Sequence, residues 1–148
     1  MKSSIMMASV FSVVAGCSGT VPPPPALTRE MIYDLLALPP LGRVPAMAIS
    51  AASDDFSLTL DGIVVTGLDQ VVQTWATVTR GANVQALRHT ITANADSSSA
   101  GLIESGRVVL TLQDKPTQPP RDTTMIFTAT WKRAGNRWRL TGESITAR

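Results

Sequence analysis

The chain has 148 residues, of which 44% are hydrophobic and 16% charged, and a formal charge of +2. That length predicts one domain, able to bury about two thirds of its unfolded surface without help from metal or disulfide. The composition excludes disorder, collagen and coiled coil for most of the chain. The mild positive charge does not point to nucleic acid, and one cysteine and one histidine exclude an internal disulfide and a Cys/His zinc centre.

Residues 1–16 read as an export signal. Lys2 gives a positive start, and Ile5 to Ala15 form an apolar stretch too short to span a bilayer. Val14, Ala15 and Gly16 before Cys17 resemble the bacterial lipobox, in which small residues admit the peptidase and the thiol takes the lipid. The resemblance implies lipidation at Cys17, with acyl anchoring of about 0.8 kcal/mol per buried CH₂. Ser18 after the cysteine resembles the sorting pattern of outer-membrane lipoproteins. The expected address is the cell envelope, on the periplasmic face of the outer membrane. Residues 17–26 contain Pro22 to Pro25, a polyproline II spacer expected to hold the domain off the membrane.

Leu27 to Leu38 predicts a helix, with Thr28 as N-cap, Glu30 in the first turn and an apolar stripe of Met31, Ile32, Leu35 and Leu36. Pro39-Pro40 stops it. Pro45 to Ile49 reads as a second short helix starting at Pro45. Phe56 to Leu60 alternates as a strand, and Asp61-Gly62 before Ile63 to Thr66 predicts a hairpin whose turn residues both need positive φ. Leu68, Val71, Val72, Trp75 and Val78 mark an amphipathic helix closed by Gly81.

The rest is strand-like. Leu87, His89, Ile91 and Ala93 share one face, and Asp96 to Ser99 form a turn. Leu102 to Leu112 follow, then a proline-bearing loop from Asp114 to Asp122. Met125, Phe127, Ala129 and Trp131 alternate with threonines. Ala134-Gly135-Asn136 turns the chain, and Trp138, Leu140, Gly142 and Ser144 alternate with Arg137, Arg139 and Glu143. Segregated helices with antiparallel strands predict an α+β fold.

Three segments carry a resemblance. They are Asp61 to Gly67 leading into the helix at Leu68, Leu87-Arg88-His89-Thr90-Ile91, and the paired tryptophans of the last hairpin in Thr130 to Arg133 and Asn136 to Leu140. In this order they resemble the nuclear-transport-factor-2-like superfamily, in its SnoaL-like and ketosteroid-isomerase-like bacterial branches, over residues 27–148. The resemblance implies a cone-shaped, cystatin-like curved antiparallel sheet packed against two or three helices around an apolar pocket. It also implies a homodimer through the exposed sheet face, to which Thr124, Ile126, Thr128 and Thr130 belong.

Strand parity puts His89 and Glu104 on the inner face. A turn centred between Asp96 and Ser99 sets His89 opposite Gly106, with Glu104 its diagonal neighbour. Burial would raise the carboxyl's pKa and make an acid/base pair. A hydrogen-bonded core histidine explains the same pattern. Tyr33, Trp75, Phe127 and Trp131 are candidate pocket-lining residues or plain core. Lys132, Arg133, Arg137 and Arg139 form either a solvated edge or a contact for anionic headgroups. No metal or cofactor is implied. The expected function is a membrane-anchored lipoprotein that binds a small apolar ligand or serves as an accessory module. The alternatives are a small isomerase, dehydratase or cyclase acting through His89 and Glu104, and an interaction subunit of an envelope assembly.

Overall fold

The computed structural model describes residues 21–38, 43–79, 83–98 and 101–148. Three helices, α1 (Ala26–Ala37), α2 (Ala46–Ala51) and α3 (Leu68–Thr79), precede or interrupt six strands. The strands are β1 (Ala52–Leu60), β2 (Ile63–Thr66), β3 (Asn83–Ser98), β4 (Gly101–Gln113), β5 (Arg121–Ala134) and β6 (Arg137–Ala147). One curved sheet holds them in the order β2-β1-β6-β5-β4-β3. It is antiparallel except where β1 runs parallel to β6. Cys17, the lipobox and Gly81 lie outside the described residues.

The Asp61-Gly62 turn forms as expected, with φ of 46° and 86°. Other boundaries move. α1 begins one residue early, at Ala26, with Pro25 rather than Thr28 at its cap position. Pro45 precedes α2 as its cap rather than opening it. The loop from Asp114 to Pro120 is held by its own bonds, Gln113 Nε2 to the Gln118 carbonyl at 3.0 Å and Arg121 Nε to Asp114 at 3.0 Å.

Two strands depart from strict alternation. β3 runs on to Ser98, through most of the turn expected over Asp96 to Ser99, of which Ser99 lies outside the described residues, and carries three register shifts against β4. His89 therefore faces Val108, Ile91 faces Gly106 and Glu104 faces Asn94. At His89 the pairing sum moves by two, which keeps side-chain parity; at Glu104 it moves by three, and the extra residue is taken up by the shift between Ile91 and Ala93 on β3 while β4 keeps its own alternation. His89 and Glu104 are both buried, although their expected diagonal pairing is lost. On β6, Trp131 pairs with Leu140 while Thr130 pairs with Gly142, leaving Thr141 as an extra residue. A bulge of this kind turns the following side chains over. Glu143 and Ile145 consequently face inward, where simple alternation had put Glu143 outside.

The inner face of the sheet carries Phe56, Leu58, Val108, Phe127, Trp131, Leu140 and Ile145, covered by Ile32, Tyr33 and Leu36 of α1, Ala48 of α2 and Val71 of α3. The buried stripe of α1 is Arg29, Ile32, Tyr33, Leu36 and Ala37. That is rotated from the expected stripe, for Met31 is exposed and Leu35 half-buried. The polar ends of Arg29 and Tyr33 find partners inside the sheet, which removes the usual cost of burying them.

Candidate functional site

α1 lies along the open edge of the sheet. Glu30 and Asp34 are four residues apart, hence on one face of the helix. Glu30 accepts the backbone N–H of Ile91 at 2.8 Å, and Asp34 Oδ1 accepts that of His89 at 2.7 Å. These N–H groups alternate along β3 and point away from β4, so the two carboxylates occupy what would otherwise be an unpaired strand edge. Glu30 is thus committed to β3 and lies beyond the first turn of the helix.

Two polar chains start from α1. In the first, Arg29 Nε donates to Glu104 Oε1 at 2.7 Å and its Nη2 pairs with the same oxygen. Glu104, with 0% of its surface exposed, takes a second bond on Oε2 from the Tyr33 hydroxyl at 2.5 Å. The Tyr33 oxygen in turn accepts Trp131 Nε1 at 2.5 Å. Burial, and then the Glu104 carboxylate, drive the Tyr33 pKa far above its ordinary value, so the phenol remains a donor.

In the second chain, His89 joins α1 to β6. Its Nδ1 lies 2.9 Å from Asp34 Oδ1 and its Nε2 lies 2.6 Å from Glu143 Oε1. Burial opposes the charged imidazole, but Glu143 and Asp34 outweigh it and push the His89 pKa up to about 9. At neutral pH both ring nitrogens therefore carry protons and donate, which leaves no lone pair for a general base. The Asp34 side chain keeps 30% of its surface open and is the exposed end of this chain. The rings of Tyr33, His89 and Phe127 pack together, with Tyr33 to His89 at 5.4 Å and His89 to Phe127 at 4.9 Å between centroids.

A folded-state pKa above 6.5 means that the stabilisation from His89 is complete below about pH 6.5 and is lost as pH rises through about 9. Unfolding free energy is expected to fall by on the order of 2–3 kcal/mol between pH 6 and pH 9, a window below the ordinary tyrosine pKa. Urea midpoints at the two pH values check this, and His89→Phe is expected to flatten the dependence. An unchanged slope in that variant would assign the effect elsewhere.

Of the residues singled out from sequence, the fold brings Tyr33, His89, Glu104, Phe127 and Trp131 into one cluster. His89 and Glu104 do not pair with each other; Tyr33 touches both, through its ring and its hydroxyl respectively. Tyr33, Phe127 and Trp131 are fully buried. The Trp75 side chain lies outside the described residues. Arg29, Asp34 and Glu143 were missed. Arg29 had a signal, as it falls on the stripe four residues before Tyr33. Glu143 had a weaker one in Gly142, since a glycine inside a strand often marks a bulge. Among the described residues no cluster of His, Cys, Asp and Glu has the arrangement of a metal site, and no helix is long and apolar enough to cross a membrane.

No protein-family model matches the sequence, and no curated protein matches it. Solved structures do share its fold. One is a ketosteroid isomerase-like protein from Erwinia carotovora atroseptica, with TM-score 0.59 and 12% identity over 82% of this chain and 88% of that one. Another is a type 2 hexachlorocyclohexane dehydrochlorinase, with TM-score 0.62 and 14% identity over 82% of each chain. A protein of unknown function from Prochlorococcus marinus gives TM-score 0.57 and 13% identity over 81% of this chain and 91% of that one.

Proposed function

From its nuclear-transport-factor-2-like fold, we propose that this chain is an envelope lipoprotein anchored through Cys17, whose domain works as a binding or accessory module rather than as a catalyst. One observation carries the reading: the ionisable groups at the centre of the fold are spent on each other. Glu104 is saturated by Arg29 and Tyr33, and His89 by Asp34 and Glu143. A catalytic acid or base needs a free site facing substrate, and this network uses its sites to fasten α1 to β3, β4, β5 and β6. The expected small apolar ligand would have to lie outside this polar centre.

A second reading, a small acid/base enzyme, draws on Asp34. It is the partly exposed end of the His89 chain, and one fold neighbour is a dehydrochlorinase. In that reading the Asp34 carboxylate takes a proton from the substrate, and the His89 imidazolium positions it. The original pair of His89 with Glu104 is replaced, because Glu104 is held by Arg29.

Native mass spectrometry of the chain extracted from envelopes separates the readings. A retained small molecule lost in Asp34→Asn, with melting temperature unchanged, favours the enzyme. Free chain that crosslinks to an envelope protein equally well with or without that substitution favours the accessory module. The mass of the N-terminal peptide tests the anchor directly, since diacylglycerol on Cys17 must disappear in Cys17→Ser.

A further inference from the structure

We propose that the β5–β6 hairpin is the membrane-facing end of the domain and docks on anionic lipid headgroups; this rests on the anchor reading above. Charge supplies the first observation. Lys132, Arg133, Arg137 and Arg139 flank the turn at Gly135, and residues 123–142 contain no acidic side chain. Arg133 is committed in part to the Gly135 carbonyl at 3.0 Å and Arg139 to the Ala52 carbonyl at 3.1 Å. Lys132 and Arg137 are exposed. The exposed acids of β1, Asp54 and Asp55, lie in the irregular stretch between the pairs Ala52 with Leu140 and Ser57 with Gly142.

The tether supplies the second. The proline segment was expected to be a spacer, but its described end is fastened to the domain. Trp138 Nε1 donates to the Val21 carbonyl at 2.9 Å, and Arg29 Nη1 donates to the Pro24 carbonyl. Val21, Pro22 and Pro24 line one groove with Asn136, Arg137 and Trp138. The chain therefore leaves the domain beside the basic hairpin. Cys17 is only four positions before Val21, and four steps of chain span at most about 14 Å. A lipid on Cys17 would thus hold the hairpin close to the bilayer surface, and about 10 Å is the range over which headgroup charge acts at 0.1 M salt. Leu27, two residues past Pro25, is 81% exposed. It is the kind of apolar side chain that enters an interface.

The test uses the detergent-extracted chain in vesicles, with a benzophenone amino acid placed at Asn136 or at Thr117. β5 has 14 residues, so it separates these two positions by about 45 Å. In vesicles of about 30% phosphatidylglycerol at about 0.1 M salt, lipid adducts at position 136 are expected to exceed those at 117 by at least about fivefold, the equivalent of about one basic contact. They are expected to fall by a similar factor in phosphatidylcholine alone, and in Lys132→Glu/Arg137→Glu. Equal adducts at both positions, or adducts indifferent to headgroup and charge, overturn the proposal. So does crosslinking of position 136 to an envelope protein instead of lipid in cells. The N-terminal peptide mass is read on the same preparation. An unlipidated Cys17 with charge-dependent adducts retained overturns the anchor alone. A lipidated Cys17 without hairpin preference overturns this inference alone.

Discussion

Arg29→Met is expected to lower stability by about 3–5 kcal/mol, the usual loss when one partner of a buried ion pair is removed. For a chain of this size that is on the order of 10 °C in Tm. The guanidinium is buried and touches Glu104 through both Nε and Nη2, and its Nη1 reaches Pro24. Without it, the strongest donor left to Glu104 is the Tyr33 hydroxyl, at 2.5 Å, and no surface of the residue reaches water. The destabilisation comes from that stranded carboxylate more than from lost attraction, because desolvation of both ions cancels much of the pair's Coulomb energy. The double variant Arg29→Met/Glu104→Met is therefore expected to recover most of the loss, since two flexible thioethers fill the space without a charge. Thermal and urea unfolding of the two variants decide the matter. A single variant within about 1 kcal/mol of wild type, or a double variant weaker than the single, would mean the pair is solvated.

Gly106→Ala is expected to cost at least about 3 kcal/mol, at the upper end for overpacking. A Cβ built at Gly106 falls 2.0 Å from the Thr90 carbonyl oxygen and 2.7 Å from Phe127 Cε1. The first of these is backbone and cannot swing aside. Gly106 faces Ile91, immediately before the shift between Ile91 and Ala93 on β3, so relieving the clash means moving the strand that carries His89. The measurement is the urea midpoint together with near-ultraviolet circular dichroism of the tryptophans. Gly142→Ala serves as the comparison, because its Cβ would meet nothing nearer than the Ser57 hydroxyl at 3.3 Å. Equal midpoints for the two variants would show that β3 and β4 do not approach so closely.

Much of the architecture was determined by the sequence through local rules. The Asp61-Gly62 turn, the Gly135 turn and the three helices follow from residues that restrict their own backbone or repeat with helical period. Parity along each strand placed His89 and Glu104 on the buried face, and it survived a wrong register because the error at His89 was an even number of residues and the odd one at Glu104 was absorbed by the irregularity after Ile91 on β3. What the sequence could not determine was whom those groups meet. His89 and Glu104 looked like neighbours, yet one is clamped by Asp34 and Glu143 and the other by Arg29 and Tyr33. Those partners come from a helix whose buried stripe turned to admit Arg29 and from a strand whose bulge at Thr141 turned Glu143 inward. A helix's rotation about its axis and a strand's bulge are set by packing and by satisfying buried polar groups across 50 or more residues of chain, as the separations of 75 between Arg29 and Glu104 and 54 between His89 and Glu143 show. Local propensity fixed the elements of this protein; only tertiary packing decided which of its charges would be joined.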